Sequence, residues 1–355
     1  MDRIYSQTEG KYGPISPLSG GAGGAFPGKI AIMGGGSWAT ALAKIVMYSQ
    51  PEINWYMRRP DRIEDFKRMH HNPAYLSSVL FDTSCITFYS DINQAIEDSD
   101  TLLFATPSPY LKDHLNKVTA SLKNKYVISA IKGLVPDGNM LINDYFSKYF
   151  EVDPNKIIVI AGACHAEEIA MEHLSYLTLV CRDVAIANKL AENVFSTPYL
   201  KSSGSCDMIG LEYVSALKNI YAIVSGICSG LKYGDNFQAV YIPNAFDEMF
   251  RFLDKIHPMQ RNITSAAYFS DLLVTCYSTF SRNRMFGKLI GEGNSVSVAK
   301  IELGMVVEGY YAAKCIHEIN KSYKVEMPIL NALYAILYER EPVSAQIKKM
   351  TEKFK

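Results

Sequence analysis

Three groups of residues have the types and spacing to do chemistry. The first is Gly34-Gly35-Gly36-Ser37-Trp38-Ala39, a G-x-G-x-x-A string between the apolar run Lys29–Met33 and the helical pattern Thr40–Tyr48. In that setting Gly34 makes a tight turn, Gly36 lets backbone approach a pyrophosphate, and small Ala39 lets helix and strand pack closely. The free N–H groups and positive dipole end of the helix then face phosphate. A glycine motif alone is weak, but one flanked by a strand and a helix reads as a dinucleotide site rather than a structural turn. About 20 residues on, where a carboxylate would contact a ribose, the chain has Met57-Arg58-Arg59-Pro60-Asp61. Arginine suits a 2′-phosphate, so NADP is a candidate cofactor beside NAD, unless these are solvated surface charges. Asp61, just after proline, reads as a helix-start residue.

The second group centres on Lys218, inside the apolar stretch Val214–Leu231. At helical spacing Ser215, Ala222 and Ser225 share its face, and small neighbours leave room for a ligand. The alternative is a lysine that snorkels to the surface. The third group is Ser281-Arg282-Asn283-Arg284. Arg282 offers a planar fork, Asn283 an amide, and Ser281 a hydroxyl and an N–H, a set suited to a phosphate or carboxylate. As a bare string it is also an ordinary polar loop.

Other candidates are weaker. Seven cysteines, at 85, 164, 181, 206, 228, 276 and 315, lack C-x-x-C or zinc-finger spacing and read as free thiols in a reducing cytoplasm. His70 and His71 are adjacent rather than four apart, and no metal is expected.

The chain of 355 residues suggests two domains or three. Hydrophobic residues are 48% and charged residues 20%, enough for a core and unlike a disordered chain. Thirty-six basic residues balance thirty-six acidic ones, so no whole-chain field gathers nucleic acid or an anionic membrane. Lys218 and Asn219 argue against a membrane span over 214–231, and no secretory signal is evident. Residues 1–28, rich in Gly, Pro and Ser from 14 on, read as a flexible extension.

Strand candidates at 29–33, 53–57, 101–105, 126–130, 157–161 and 176–181 alternate with helical patterns, which implies βαβ units and a parallel sheet covered on both faces. Beyond about residue 204, helical patterns dominate at 211–228, 238–256, 263–276, 296–320 and 328–339. The expected fold is α/β plus all-α: a Rossmann-like doubly wound sheet over 29–203 and a helical substrate or catalytic domain over 204–355.

At this point a resemblance becomes specific. Over most of 29–340 the chain resembles the NAD(P)-dependent glycerol-3-phosphate dehydrogenases. The resemblance rests on six ordered motifs. They are the glycine turn with its Trp38–Ala43 tail, Ile131-Lys132-Gly133-Leu134, and Gly162–Glu168. The helix Glu212–Ala222 with Gly234-Asp235-Asn236 follows. Asp271-Leu272 with Thr275-Cys276 leads to Ser281–Gly287, and Val306–Gly309 closes the set. Two segments depart from the family pattern. Ala163-Cys164 stands where Pro then Ser/Thr is usual, and a thiol is a weaker donor than a hydroxyl. Tyr268-Phe269-Ser270 stands where a Gly-rich turn is more common.

The resemblance implies hydride exchange between a nicotinamide cofactor, NAD or NADP, and dihydroxyacetone phosphate or sn-glycerol 3-phosphate. It implies Lys218 as general acid and base, with Asp271 and Lys132 beside it, and Thr275 one turn on as support. A free lysine titrates near 10.4, too high for an efficient base at neutral pH, so burial and a second cation such as Lys132 are called for. Substrate contacts are implied at Lys132, Gly162, Cys164, Lys218, Asp271, Ser281, Arg282 and Asn283. Cofactor contacts are implied at Gly34, Gly36, Ser37, Trp38, Arg58, Lys132, Ala166, Arg282, Val306 and Glu308. Glu308 has a second reading as a carboxylate pairing within the helical domain. His165 lies in the substrate segment, with packing as its other reading, and Arg284 carries no role beyond structure. The resemblance also implies a homodimer in the cytoplasm, supplying phospholipid precursors. Two rivals remain: a related hydroxyacid dehydrogenase, whose carboxylate Arg282 and Asn283 could equally hold, and a non-catalytic NADP-binding regulator.

Overall fold

Residues 30–33 are apolar and fully enclosed, as a strand covered by helices on both faces must be. The computed structural model describes residues 26–354, so most of the expected 1–28 extension lies outside the described residues. Its last three residues are packed: Phe26 meets Tyr126 edge-on at 4.5 Å, and the Thr101 hydroxyl donates to the Pro27 carbonyl at 2.5 Å.

The first half alternates strand and helix: β1 (Ile30–Met33), α1 (Ser37–Ser49), β2 (Ile53–Tyr56), α2 (Pro60–Met69), β3 (Ile86–Tyr89), α3 (Ile92–Glu97), β4 (Thr101–Phe104), α4 (Leu111–Leu115), β5 (Tyr126–Ser129), α5 (Ile142–Phe150), β6 (Ile157–Ala161), α6 (Ala166–Ala170), β7 (Ser175–Cys181), α7 (Val184–Asn193) and β8 (Leu200–Ser205). One eight-stranded sheet runs β3-β2-β1-β4-β5-β6-β7-β8. Its first six strands follow the order of dinucleotide-binding sheets, with the crevice where β1 and β4 diverge.

Two features depart from the expected sheet. β3 and β8 carry weak apolar signals and escape the sequence pattern, and β8 runs to Ser205, just past the expected boundary at 203. β7 pairs antiparallel to β6, so the sheet is not wholly parallel. The 162–174 connection holds only the five-residue α6 and turns back at the same sheet edge. That keeps Cys164 and His165 at the carboxyl end of the strands.

The second half comprises α8 (Met208–Gly230), α9 (Asp235–Ile256), α10 (Asp271–Tyr277), α11 (Arg282–Gly291), α12 (Val296–Leu303), α13 (Glu308–Tyr323), α14 (Pro328–Tyr338) and α15 (Val343–Thr351). α8 is apolar almost all round because it is the axis of this domain; only Ile209, Tyr213 and Ser229 are not buried. Among the described residues no helix is long and apolar enough to cross a membrane.

α8 and α11 touch backbone to backbone. A methyl on Gly226 would overlap the Arg284 carbonyl, one on Gly287 the Ile223 carbonyl, and one on Gly291 the Ile227 carbonyl. The polar string at 281–284, readable as a loop, is therefore the start of a helix that docks through glycine. Its Ser281 hydroxyl caps the helix by accepting the Arg284 N–H at 3.3 Å.

The helical pattern over 296–320 is broken. Gly304, at φ 62°, ends α12 in the left-handed conformation, and α13 restarts at Glu308. The pattern over 263–276 also divides, into a π-helical turn at Ala266–Ser270 and α10. Both interruptions deliver residues to the cavity described next.

Candidate active site

A cavity of about 1100 Å³ runs from the carboxyl ends of β1, β2 and β4 to the faces of α8, α10, α11 and α13. It exceeds the roughly 300–1,000 Å³ of a site for one drug-sized ligand.

At one wall, Gly34 follows β1 at φ 136°, a conformation that favours glycine. Its N–H donates to the Tyr56 carbonyl at 3.2 Å, and its own carbonyl accepts Trp55 Nε1 at 2.7 Å. Gly36 then caps α1 with no side-chain acceptor on the helix end. A Cβ on Gly36 would meet nothing within 4 Å, so the space before the helix N-terminus is open. Ala39 is fully buried against the sheet. This cradle, with free N–H groups and a positive dipole end, fits the pyrophosphate of a nicotinamide dinucleotide. Ser37 and Trp38 line it, and Trp38 Nε1 is fixed by the Ala130 carbonyl at 3.1 Å.

Beyond β2 the wall carries Arg58, Arg59, Arg62, Tyr75 and His114. The two predicted arginines differ. Arg59 is exposed and forks onto Asp61 in the first turn of α2, with Nε 3.1 Å from the carboxylate. Arg58 lies near Tyr56 and His114, and burial with the Arg58 charge holds the His114 imidazole down at about 4. His114 Nε2 and Thr106 Oγ1, both lining the cavity, are buried without a hydrogen-bond partner. Orphaned polar atoms of this kind suit a polar ligand.

The opposite wall holds the chemical centre. Lys218, only 2% exposed, projects from the middle of α8 and does not reach the surface. Both oxygens of Asp271, 1% exposed, lie 2.5 Å from its Nζ. Asp271 begins α10, delivered by the π-helical turn. Tyr268 in that turn donates its hydroxyl to Asp207, the N-cap of α8, at 2.6 Å. The segment that departs from the family's Gly-rich pattern is thus anchored by its own tyrosine. Asp271 also accepts the Gly162 N–H at 3.3 Å, and Thr275 Oγ1 donates to the Asp271 carbonyl at 2.5 Å.

Lys132 supplies the second cation. Its Nζ donates to the Cys164 carbonyl at 3.1 Å and sits 4.5 Å from the Trp38 ring centroid. Burial first, then the Lys218 charge, brings Lys132 down to about 8. Burial pushes the Cys164 thiol up to about 12, so it stays protonated and keeps its weak donor.

The remaining expected residues divide into those that face the cavity and those that brace it. Arg282 faces it, and its Nη2 donates to Ser37 Oγ at 2.8 Å, joining the helical domain to the glycine turn. Ala166 and Val306 also line it. Gly162 does not: at φ 113° a Cβ there would come within 2.7 Å of the Tyr176 carbonyl, and its visible role is the N–H given to Asp271. Asn283 lines the cavity, but its amide bridges Asn219 Oδ1 at 2.8 Å and the Gly309 N–H at 2.9 Å. Glu308 does both: it lines the cavity and accepts the Ser108 N–H at 2.9 Å and hydroxyl at 2.5 Å. Burial pushes its carboxyl up to about 7 against those hydrogen bonds.

One residue missed from sequence is Asn219. It lines the cavity beside Lys218 and donates to the Lys132 carbonyl at 2.8 Å and the Ser215 carbonyl at 2.9 Å. The signal was present, since a second polar side chain follows Lys218 in an apolar helix. Among the described residues no three His, Cys, Asp or Glu side chains gather as a metal site.

Known proteins are similar to this chain in sequence and in fold. The family model for the N-terminus of NAD-dependent glycerol-3-phosphate dehydrogenase matches residues 29–187, and the model for its C-terminus matches 207–348. A glycerol-3-phosphate dehydrogenase [NAD(P)+] of Bacillus subtilis (strain 168) is 32% identical over 324 residues, covering 91% of this chain and 93% of the relative. One from Lysinibacillus sphaericus (strain C3-41) is 31% identical over 312 residues, covering 87% and 92%. The crystal structure of glycerol-3-phosphate dehydrogenase from Coxiella burnetii superposes with a TM-score of 0.84 at 27% identity, covering 92% of this chain and 99% of that one.

Proposed function

The chain belongs to the NAD-dependent glycerol-3-phosphate dehydrogenase family, and from that membership we propose the parts its cavity residues play. The activity is that of an NAD(P)-dependent enzyme interconverting dihydroxyacetone phosphate and sn-glycerol 3-phosphate. When bound, the nicotinamide cofactor supplies or removes the hydride at the substrate's middle carbon. The observation that carries the reading is the Lys218–Asp271 pair in one cavity with the glycine turn.

In the reducing direction negative charge grows on the carbonyl oxygen. Protonated Lys218 faces that oxygen, stabilises the charge and gives up a proton; in reverse, neutral Lys218 takes it back. Asp271 is a positioning carboxylate, aiming the ammonium while Gly162 and Thr275 hold it in turn. Lys132 adds positive charge for the anionic substrate. Arg282 grips a phosphate oxygen, and its bond to Ser37 places it between substrate and cofactor phosphates. Ser281 and the Cys164 thiol add weaker donors. Asn219 and Asn283 keep Lys218, Lys132 and Arg282 in register. Gly34, Gly36, Ser37 and Trp38 hold the pyrophosphate side of NAD or NADP, with Ala166, Val306 and Glu308 toward its nicotinamide end and Arg58 at its ribose.

Loss of NADPH or NADH absorbance with dihydroxyacetone phosphate, beside unphosphorylated dihydroxyacetone, tests this reading. Turnover is expected only with the phosphorylated ketone. Replacing Arg58 with Ala is expected to lower NADPH affinity at least about tenfold and NADH affinity little, the difference expected for a lost charge-assisted contact. Saturable cofactor binding with no turnover would instead favour the non-catalytic reading.

A pH dependence also follows. Lys132 is cationic below about 8 and neutral above it. Since substrate phosphate needs the cation, kcat/KM for reduction is expected to fall roughly fivefold from pH 8 to pH 9. Lys132→Arg, which stays charged, should flatten that limb even if its overall rate is lower. An identical alkaline limb in this variant would assign the titration to another group.

Family membership further supports a homodimer in the cytoplasm that feeds glycerophospholipid synthesis. Sedimentation of the purified chain at twice the monomer mass checks the first of these.

A further inference from the structure

One polar side chain near the chemical centre has no part in the roles above. His165 lies between Cys164 and Ala166, just before α6, and lines the cavity shared by Lys132, Lys218 and Arg282. Its ring lies against Phe280, centroids 6.3 Å apart, and it makes no side-chain cap to its own helix. Its Nε2 is buried with no hydrogen-bond partner. A buried nitrogen left unpaired beside a substrate cavity calls for a partner on the ligand.

The surrounding charges indicate which ligand group. Burial first, then Lys132, Lys218 and Arg282, hold the imidazole down at about 3, so it is neutral at physiological pH. The three cations match the two anionic parts of the reaction, the phosphate and the oxygen that gains charge. The one polar group left on dihydroxyacetone phosphate is its primary hydroxyl. It is uncharged and both donates and accepts, so it pairs with a neutral imidazole nitrogen in either tautomer.

We propose that His165 Nε2 hydrogen-bonds the primary hydroxyl of the substrate and makes the site select hydroxymethyl ketone phosphates over their deoxy counterparts. This rests on the substrate assigned above. A site built to pair a hydroxyl rejects the analogue that lacks it, because the protein group is then left unpaired.

The test compares kcat/KM for dihydroxyacetone phosphate with that for hydroxyacetone phosphate, which lacks only this hydroxyl. The full-length wild type is expected to prefer the former by at least about a hundredfold. In His165→Phe, which keeps a planar ring, the preference should shrink to within about fivefold, with the loss concentrated on the hydroxylated substrate. Quenching of the fluorescence of Trp38 and Trp55, both set at the glycine turn, by NADPH shows whether the cradle is intact in the variant. If it is not, His165→Ala, which only removes atoms, carries the same comparison. A wild type with no preference, or a folded variant that retains the wild-type ratio, overturns the proposal. A wild type that turns over neither ketone overturns the substrate assignment instead.

Discussion

Lys218→Ala is expected to lower kcat for dihydroxyacetone phosphate reduction by about ten-thousandfold, with NADPH affinity changed less than about threefold. General acid–base catalysis is worth about 10²–10⁴ in rate, and charge stabilisation in a closed site about 10²–10³. One ammonium performs both here, so the two factors are not multiplied. Cofactor affinity survives because the glycine cradle lies on the other wall. The stability effect is separate. Asp271 is 1% exposed and would be left as a buried, unpaired carboxylate, which costs about 3–5 kcal/mol. The double variant Lys218→Met, Asp271→Asn removes both charges. It should recover most of that stability and none of the turnover. Stopped-flow rates, fluorescence titration and urea melts distinguish these outcomes. A folded Lys218→Ala variant retaining more than about a tenth of wild-type kcat would remove Lys218 from the mechanism.

The second large effect lies at the α8–α11 contact. In Gly287→Ala the new methyl overlaps the Ile223 backbone carbonyl, and no side-chain rotation relieves a backbone clash. The helices must part, and α11 carries Ser281, Arg282 and Asn283 at its start. A loss of about 3–5 kcal/mol is expected, at the upper end for overpacking. The residual folded enzyme should bind substrate phosphate poorly, because Arg282 moves from Ser37. Gly36→Ala is the contrast: its methyl meets no protein atom, so the urea midpoint should hold while NADPH affinity falls. A Gly287→Ala variant with the wild-type midpoint would show that the helices part without penalty.

Much of this is written locally in the chain. The strand, glycine turn and helix from 29 to 48 are local, and their chemistry follows from spacing alone. Lys218 stood out because an apolar helix disfavours charge, and burial on every side of α8 agrees with that. Asp61 starts its helix as read. The family motifs then grouped residues that spacing alone could not.

Other features depended on distance along the chain. Asp271 meets Lys218 across 53 residues, and Arg282 meets Ser37 across 245. No local period encodes either pairing. The reversal of β7 turns on a short connection, and the break at Gly304 turns on one left-handed residue within a helical pattern. Gly162 and Asn283 read as ligand contacts, yet their visible bonds brace Asp271, Asn219 and Gly309. Asn219 sits next to Lys218, but its carbonyl partner on Lys132 lies 87 residues away along the chain. Propensity and periodicity act over a few residues, so the chemical groups and most of the helices and strands that carry them were legible along the chain. Which groups face one another emerges with folding, because it depends on how closely α11 docks on α8 and on which buried polar atoms find partners once water is excluded.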